Sequence, residues 1–89
     1  MEGIIFIKVH MDGKRAIFDL RQIILDGQHP RFEVFEYVKK ADVGTTFEIH
    51  TPRVPKPLIK GLEDLGLPVI VDEIEASHIR VITVKNNEI

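Results

Sequence analysis

Histidine, arginine and carboxylate side chains carry the chemistry available to this chain, because its sequence contains no cysteine. A thiolate nucleophile, a disulfide and a zinc–thiolate site are therefore excluded. The four histidines lack the close helical spacing of zinc enzymes; they are His10, His29, His50 and His78. Ser77 has no glycine elbow around it to expose a catalytic hydroxyl. We expect no catalytic residue, no resident metal and no cofactor.

Two alternatives to a purely binding function stay open. A divalent metal could be held by His29 and His50 together with Asp19 or Asp26, since imidazole and carboxylate groups suit several such ions. A histidine–aspartate pair could also serve in acid–base catalysis, although the sequence offers it no partner nucleophile.

Basic side chains flank two predicted helix starts. His29-Pro30 and Pro55-Lys56-Pro57 each place proline where the first helical turn leaves N–H groups without an intrahelical partner. Such N–H groups and the helix dipole attract anions. The sequence therefore predicts a site for a small anion, formed by His29, Arg31, Arg53 and Lys56. Two further polar residues of the same predicted corner are Arg21 and His50.

The composition is that of a globular protein with one core. Its 89 residues fit a single domain, and 44% of them are hydrophobic while 29% are charged. The longest apolar runs are too short to cross a bilayer, and a net charge of −2 gives no support for nucleic-acid binding. The sequence starts without the features of a secretory signal, so we expect a cytoplasmic protein. Thirteen isoleucines against two asparagines and two glutamines indicate a heat-tolerant source.

Periodic apolar residues predict five strands and two helices. The strands are predicted over residues 3–10, 15–20, 45–50, 69–75 and 79–85. The helices are predicted from His29-Pro30 to the turn at Gly44, and from Pro55 or Pro57 to Leu65. Residues 21–27 are expected to form a loop.

The order of these elements predicts an α/β two-layer sandwich in a single domain, residues 1–89. Both helices cover one face of a mixed sheet, with a βαβαββ core over residues 15–85 and an extra N-terminal strand at residues 3–10. A right-handed crossover through the first helix makes strands 15–20 and 45–50 parallel. Both helix N-termini then lie at the same edge of the sheet.

The order from residue 15 onward resembles that of the TusA/SirA sulfur carriers and of the C-terminal domain of translation initiation factor 3. Four segments resemble, more narrowly, an uncharacterised family related to TusA: Phe18-Asp19-Leu20-Arg21, His29-Pro30, Thr45 to Ile49, and Pro55-Lys56-Pro57-Leu58. Domains of that family also occur beside hemerythrin-like or cupin-like modules. The resemblance covers about residues 15–85 and implies the same two-layer sandwich.

The resemblance does not bring sulfur transfer with it. The carriers open their first helix with a Cys-Pro pair whose cysteine holds a persulfide, and His29-Pro30 stands at the matching position. An imidazole cannot hold a transferable persulfide. Relatives also have an Asp-His-Asp run before Pro-Lys-Pro-Leu, where this chain has Pro52-Arg53-Val54, so a role for that run is not carried over either.

These observations predict a small non-catalytic binding or accessory module for an anionic ligand at the helix N-termini. A protein–protein interaction adaptor is the first alternative, and a metal-dependent or histidine-based enzyme the second. Residues 4–9 are apolar on both faces of the first strand, and Ile17, Ile82 and Val84 extend one of these faces. This pattern predicts a homodimer through the helix-free face of the sheet or its N-terminal edge. No membrane or nucleic-acid partner is expected.

Overall fold

The computed structural model describes residues 7–89. Its strands are β1 (Val9–Asp12), β2 (Arg15–Asp19), β3 (Thr46–Thr51), β4 (Val69–Glu75) and β5 (His78–Val84). Its helices are α1 (Arg21–Leu25), α2 (Arg31–Lys40) and α3 (Lys56–Asp64). Among these residues no helix has both the length and the apolar character needed to cross a membrane.

The strands form one mixed sheet in the order β1-β2-β3-β5-β4. Strands β2 and β3 are parallel and the other neighbouring pairs are antiparallel. In the parallel pair Ala16 lies opposite Phe47 and Phe18 opposite Ile49, so the alternating apolar residues of both strands share one face. The predicted parallel crossover and the mixed sheet are confirmed.

The core lies between that face of the sheet and the helices. Helix α2 contributes Val34 and Val38, and α3 contributes Leu58 and Leu62, all of them buried. These pairs are spaced four residues apart, which places each pair on one side of its helix. The predicted two-layer α/β sandwich is therefore the observed fold.

The two longer helices approach each other closely at Gly61 of α3. The Phe35 ring of α2 lies against this position, and a Cβ atom added to Gly61 would overlap the ring. Gly61 thus lets the backbone of α3 approach an aromatic side chain of α2, which a larger residue would hold away.

The C-terminal end of α2 is fixed by the side chain of Lys85, which is only 2% exposed. Its Nζ donates hydrogen bonds to the carbonyl oxygens of Lys39, at 2.7 Å, and Ala41, at 2.6 Å. Carbonyl groups at a helix C-terminus lack intrahelical donors, and a cation there also interacts favourably with the helix dipole.

Most predicted boundaries agree with the structure to within one or two residues. The clearest error concerns residues 21–25, which form α1 rather than a loop. Helix α1 has no buried residue, so the sequence lacks the apolar stripe that identifies longer helices. Half of the predicted strand over residues 3–10 lies outside the described residues, and in the described half the strand β1 begins at Val9 and continues to Asp12.

Candidate functional site

A cavity of about 270 Å³ lies where α1 and the N-termini of α2 and α3 meet. Its buried lining residues are apolar: Leu20, Pro30 and Leu58. Its partly or fully exposed apolar lining residues are Ile24, Val54, Pro55 and Pro57. Its polar lining residues are Gln28, His29, Arg31 and Arg53. The cavity therefore combines an apolar floor with basic side chains nearer to solvent.

The chain reaches this cavity through short, well-defined loops. Leu20 extends the parallel pairing beyond β2, because its N–H donates to the carbonyl of His50 at 2.9 Å. Gly27 then turns the chain after α1 with φ of +89°, a conformation that glycine adopts without strain. In the second loop, Oγ1 of Thr51 donates to the carbonyl of Arg53 at 2.8 Å. These contacts hold the segments that carry His29 and Arg53.

Three of the four predicted anion-binding residues line this cavity. They are His29, Arg31 and Arg53. Lys56 is the first residue of α3, but it is exposed and does not belong to the lining. Within residues 7–89, Arg31 and Arg53 take part in no ion pair. The guanidinium of Arg31 lies 5.2 Å from the centre of the Phe32 ring, a cation–π contact that leaves its N–H groups free to bind an anion.

The backbone contributes fewer donors to the cavity than two helix N-termini ordinarily supply. In α3 the N–H of Lys56 already bonds the carbonyl of Val54 at 3.1 Å, and Pro57 has no N–H. Pro55 precedes the helix and also lacks a donor. Helix α2 has no side-chain cap, so the N–H groups of its first turn lack intrahelical acceptors. The N–H groups at this cavity that lack an acceptor among residues 7–89 therefore belong mainly to α2.

The other two residues of the predicted corner, Arg21 and His50, belong to a second polar cluster. His50 lies on β3 between the buried residues Ile49 and Thr51, so its side chain projects from the helix-free face. There Nδ1 of His50 lies 2.8 Å from Nε2 of His78, and Nε2 of His50 lies 2.7 Å from a carboxylate oxygen of Glu48. The structure thus separates His50 from His29, which lines the cavity on the helix side.

The hydrogen bonds of this second cluster form a chain in which each group donates to the next, from Arg21 to Glu48. Arg21 can only donate, and its Nη1 lies 3.3 Å from Nδ1 of His78. With both imidazoles neutral, His78 then donates from Nε2 to His50, and His50 donates from Nε2 to the carboxylate of Glu48. All four ring nitrogens are occupied, so neither histidine has a free nitrogen with which to accept a proton from a substrate.

Arg21 is held in turn by Asp19. The carboxylate of Asp19 accepts hydrogen bonds from Nε of Arg21 at 2.9 Å and from Nη2 at 2.8 Å. These hydrogen bonds lower the pKa of Asp19 to about 2. Arg21 is also the first residue of α1, whose Ile24 lines the cavity.

The predicted metal alternative receives no support from this arrangement. His29 and His50 do not come together, and no group of three or more histidines and carboxylates in residues 7–89 is placed to hold a metal ion. The Nε2 of His78 must also carry its proton while Nδ1 accepts from Arg21, which removes the lone pair that a metal would need.

The sequence contained a partial signal for the second cluster. Glu48 and His50 are two residues apart on a predicted strand, which puts them on one face, opposite Phe47 and Ile49. The pairing of β3 with β5 then brings His78 of β5 within reach. Nothing local in the sequence indicates that these two strands are neighbours.

Two of the four segments that carry the resemblance to the sulfur carriers lie beside the cavity. His29-Pro30 precedes α2, and Pro55-Lys56-Pro57-Leu58 spans the start of α3. Comparisons of the chain with protein-family models, curated proteins and solved structures each gave no match, so its function has to be inferred from the site itself.

Proposed function

We propose that this protein is a non-catalytic binding module that takes up a small anion in the cavity lined by His29, Arg31 and Arg53. One observation carries the proposal: two arginines without ion-pair partners in residues 7–89 line the same cavity of about 270 Å³. A guanidinium presents a planar fork of N–H donors that matches a carboxylate or phosphate in two hydrogen bonds. No aspartate or glutamate lines the cavity to compete for them.

We also propose that the protein is cytoplasmic and that it works by presenting or buffering its ligand. The absence of a cysteine rules out the thiol chemistry of the sulfur carriers that the sequence resembles. The fully bonded histidines of the second cluster support binding rather than acid–base catalysis.

Titration with sodium acetate, followed by two-dimensional ¹H–¹⁵N NMR at low ionic strength, tests this proposal. Backbone shifts should concentrate at residues 28–32 and 53–58. Arg53→Ala should weaken binding about tenfold or more, because a charge-assisted hydrogen bond contributes about 1.5–3 kcal/mol. Lys56→Ala is the matched control, since Lys56 is a nearby exposed cation outside the lining. Equal losses of acetate affinity in both variants, or shifts spread evenly over the chain, would show that the cavity is not an anion site.

Self-association is a second candidate property, and it is favoured by exposed apolar side chains on one edge of the sheet. Strand β4 is an edge strand, and its exposed apolar residues are Ile70, Val71 and Ile74. Ile70 is 60% exposed and pairs with Ile82 on the helix-free face. This arrangement supports the proposed homodimer, which would cover that face.

Sedimentation velocity at micromolar concentrations tests the homodimer. The wild-type protein should sediment as a dimer, and Ile70→Lys should shift it toward monomer while keeping the circular dichroism spectrum of the fold. Leu25→Lys, at an exposed apolar position on α1, is the control and should leave the dimer intact. A monomeric wild-type protein would rule out the proposed homodimer.

A further inference from the structure

We propose that the ligand of this cavity is an amphipathic organic acid, with a single carboxylate on an apolar body of the size found in hexanoate or benzoate, and not inorganic phosphate or sulfate. This inference rests on the proposed anion-binding function and adds the chemical class of the ligand. It follows from what lines the cavity, from which donors are missing and from the size of the space.

The apolar lining of the cavity favours a ligand with an apolar body. Leu20 is 1% exposed and Leu58 is 5% exposed, and both belong to the hydrophobic core that lies below the cavity. Ile24 packs against that core from α1. Solvent still reaches the other apolar lining residues, which are Ile24, Val54, Pro55 and Pro57. A hydrocarbon or aromatic body would cover this surface and remove it from solvent, whereas a fully hydrated inorganic anion would leave it facing water.

The start of α3 offers few of the backbone donors that phosphate sites use. Proteins that bind phosphate at a helix N-terminus surround it with several backbone N–H groups. Here the proline residues Pro30, Pro55 and Pro57 line the cavity without offering any, and the N–H of Lys56 is bonded to Val54. The N–H groups in the first turn of α2 and the side chains of Arg31 and Arg53 remain as donors, and one guanidinium can bind both oxygens of a carboxylate.

The size of the cavity limits the length of the ligand. A volume of about 270 Å³ lies near the small end of the range for ligand sites, which is roughly 300–1,000 Å³. Such a site suits a small acid such as hexanoate or benzoate. Since burial of one methylene contributes about 0.8 kcal/mol, affinity should rise about fourfold per carbon from propanoate to hexanoate and then level off.

Isothermal titration calorimetry with the full chain, using propanoate, hexanoate, benzoate, inorganic phosphate and the neutral 1-hexanol, tests the inference. Hexanoate and benzoate should bind at least tenfold more tightly than propanoate, phosphate or 1-hexanol. Arg53→Gln should weaken hexanoate binding and leave 1-hexanol unchanged. Val54→Asn changes a lining side chain that is 46% exposed, and should weaken hexanoate more than propanoate without endangering the fold. Lys56→Gln, outside the lining, is the control for both variants.

The possible negative results distinguish the proposed anion site from the proposed class of ligand. Phosphate or propanoate binding as tightly as hexanoate would overturn the amphipathic ligand class and leave an anion site in place. Equal affinities for 1-hexanol and hexanoate would overturn recognition of the carboxylate. Absence of binding by every compound would overturn the proposed function together with this inference.

Discussion

The imidazole rings of His50 and His78 meet end to end, with 2.8 Å between Nδ1 of His50 and Nε2 of His78 and 5.0 Å between the ring centres. One ring lies on β3 and the other at the start of β5, so this contact joins residues 28 positions apart in the chain. Arg21 at one end and Glu48 at the other set the direction in which the protons point. The pair is thus part of a continuous hydrogen-bonded chain across the helix-free face.

The direction of these hydrogen bonds predicts which ring nitrogen carries the proton in each histidine. At a pH where the rings are neutral, His50 and His78 should each carry the proton on Nε2, because Arg21 can only donate to Nδ1 of His78. Long-range ¹H–¹⁵N NMR spectra distinguish the two ring nitrogens directly. His10, which is exposed, should report an unconstrained ring for comparison. Observation of a proton on Nδ1 of His78 would contradict the predicted chain.

Removal of His78 should cost stability because it leaves two partly buried groups without partners. His78→Ala deprives Nδ1 of His50 and one N–H of Arg21 of their hydrogen bonds. We expect a loss of about 1–2 kcal/mol in the free energy of unfolding, measured by urea denaturation. His10→Ala is the control and should change stability by less than about 0.5 kcal/mol. A loss no larger than that of the control would show that the chain does not stabilise the fold.

The ion pair between Asp19 and Arg21 predicts how stability changes with acid. The lowered pKa of Asp19, about 2 against an ordinary value of 3.8, means that the folded protein favours the ionised carboxylate. This contribution is fully present above pH 3.8 and disappears as the pH falls toward 2. The stability difference between wild type and Asp19→Asn should therefore shrink over that interval. The stability difference is expected to be modest, because the Asp19 side chain is 54% exposed. A difference independent of pH between 5 and 2 would refute the assignment.

The contact between Phe35 and Gly61 predicts a strongly coupled pair of substitutions. Gly61→Ala should destabilise the protein by about 1–3 kcal/mol, because the added methyl group overlaps the Phe35 ring. The usual gain in helix propensity on replacing glycine by alanine is smaller, at about 1 kcal/mol. In the double variant Phe35→Leu with Gly61→Ala the loss should be less than the sum of the single losses. Strict additivity in this double-mutant cycle would show that the helices separate without strain.

The buried ammonium group of Lys85 predicts a fourth effect on stability. Lys85→Met keeps the apolar stem but removes both hydrogen bonds to the end of α2. A loss of about 1.5–3 kcal/mol is expected, since hydrogen bonds from a charged donor are lost in a buried site. Amide hydrogen exchange should also quicken in the last turn of α2. Lys40→Met, at an exposed position of the same helix, should reproduce neither effect.

The alternation of apolar and polar residues along the chain was enough to predict the two-layer sandwich. Residues such as Phe47 and Ile49 on β3, or Leu58 and Leu62 on α3, identify their elements through the period with which they recur. The prolines near the start of α2 and α3 marked where these helices begin, because proline fits the first turn and no later one. From these local features the cavity and three of its basic residues could be anticipated.

Other features depended on which strands become neighbours, which is a property of the whole fold. Alternation alone put His50 on the face opposite Phe47 and Ile49, and this face turned out to be the one without helices, away from His29. The contact of His50 with His78 arises only from the pairing of β3 with β5, and pairing between distant strands has no local signal. The sequence by itself determined the fold class and the approximate ends of its elements, since these depend on residues close together in the chain. Only the tertiary structure decided which polar groups meet, because hydrogen bonds and ion pairs depend on distances of a few ångströms between residues far apart in sequence.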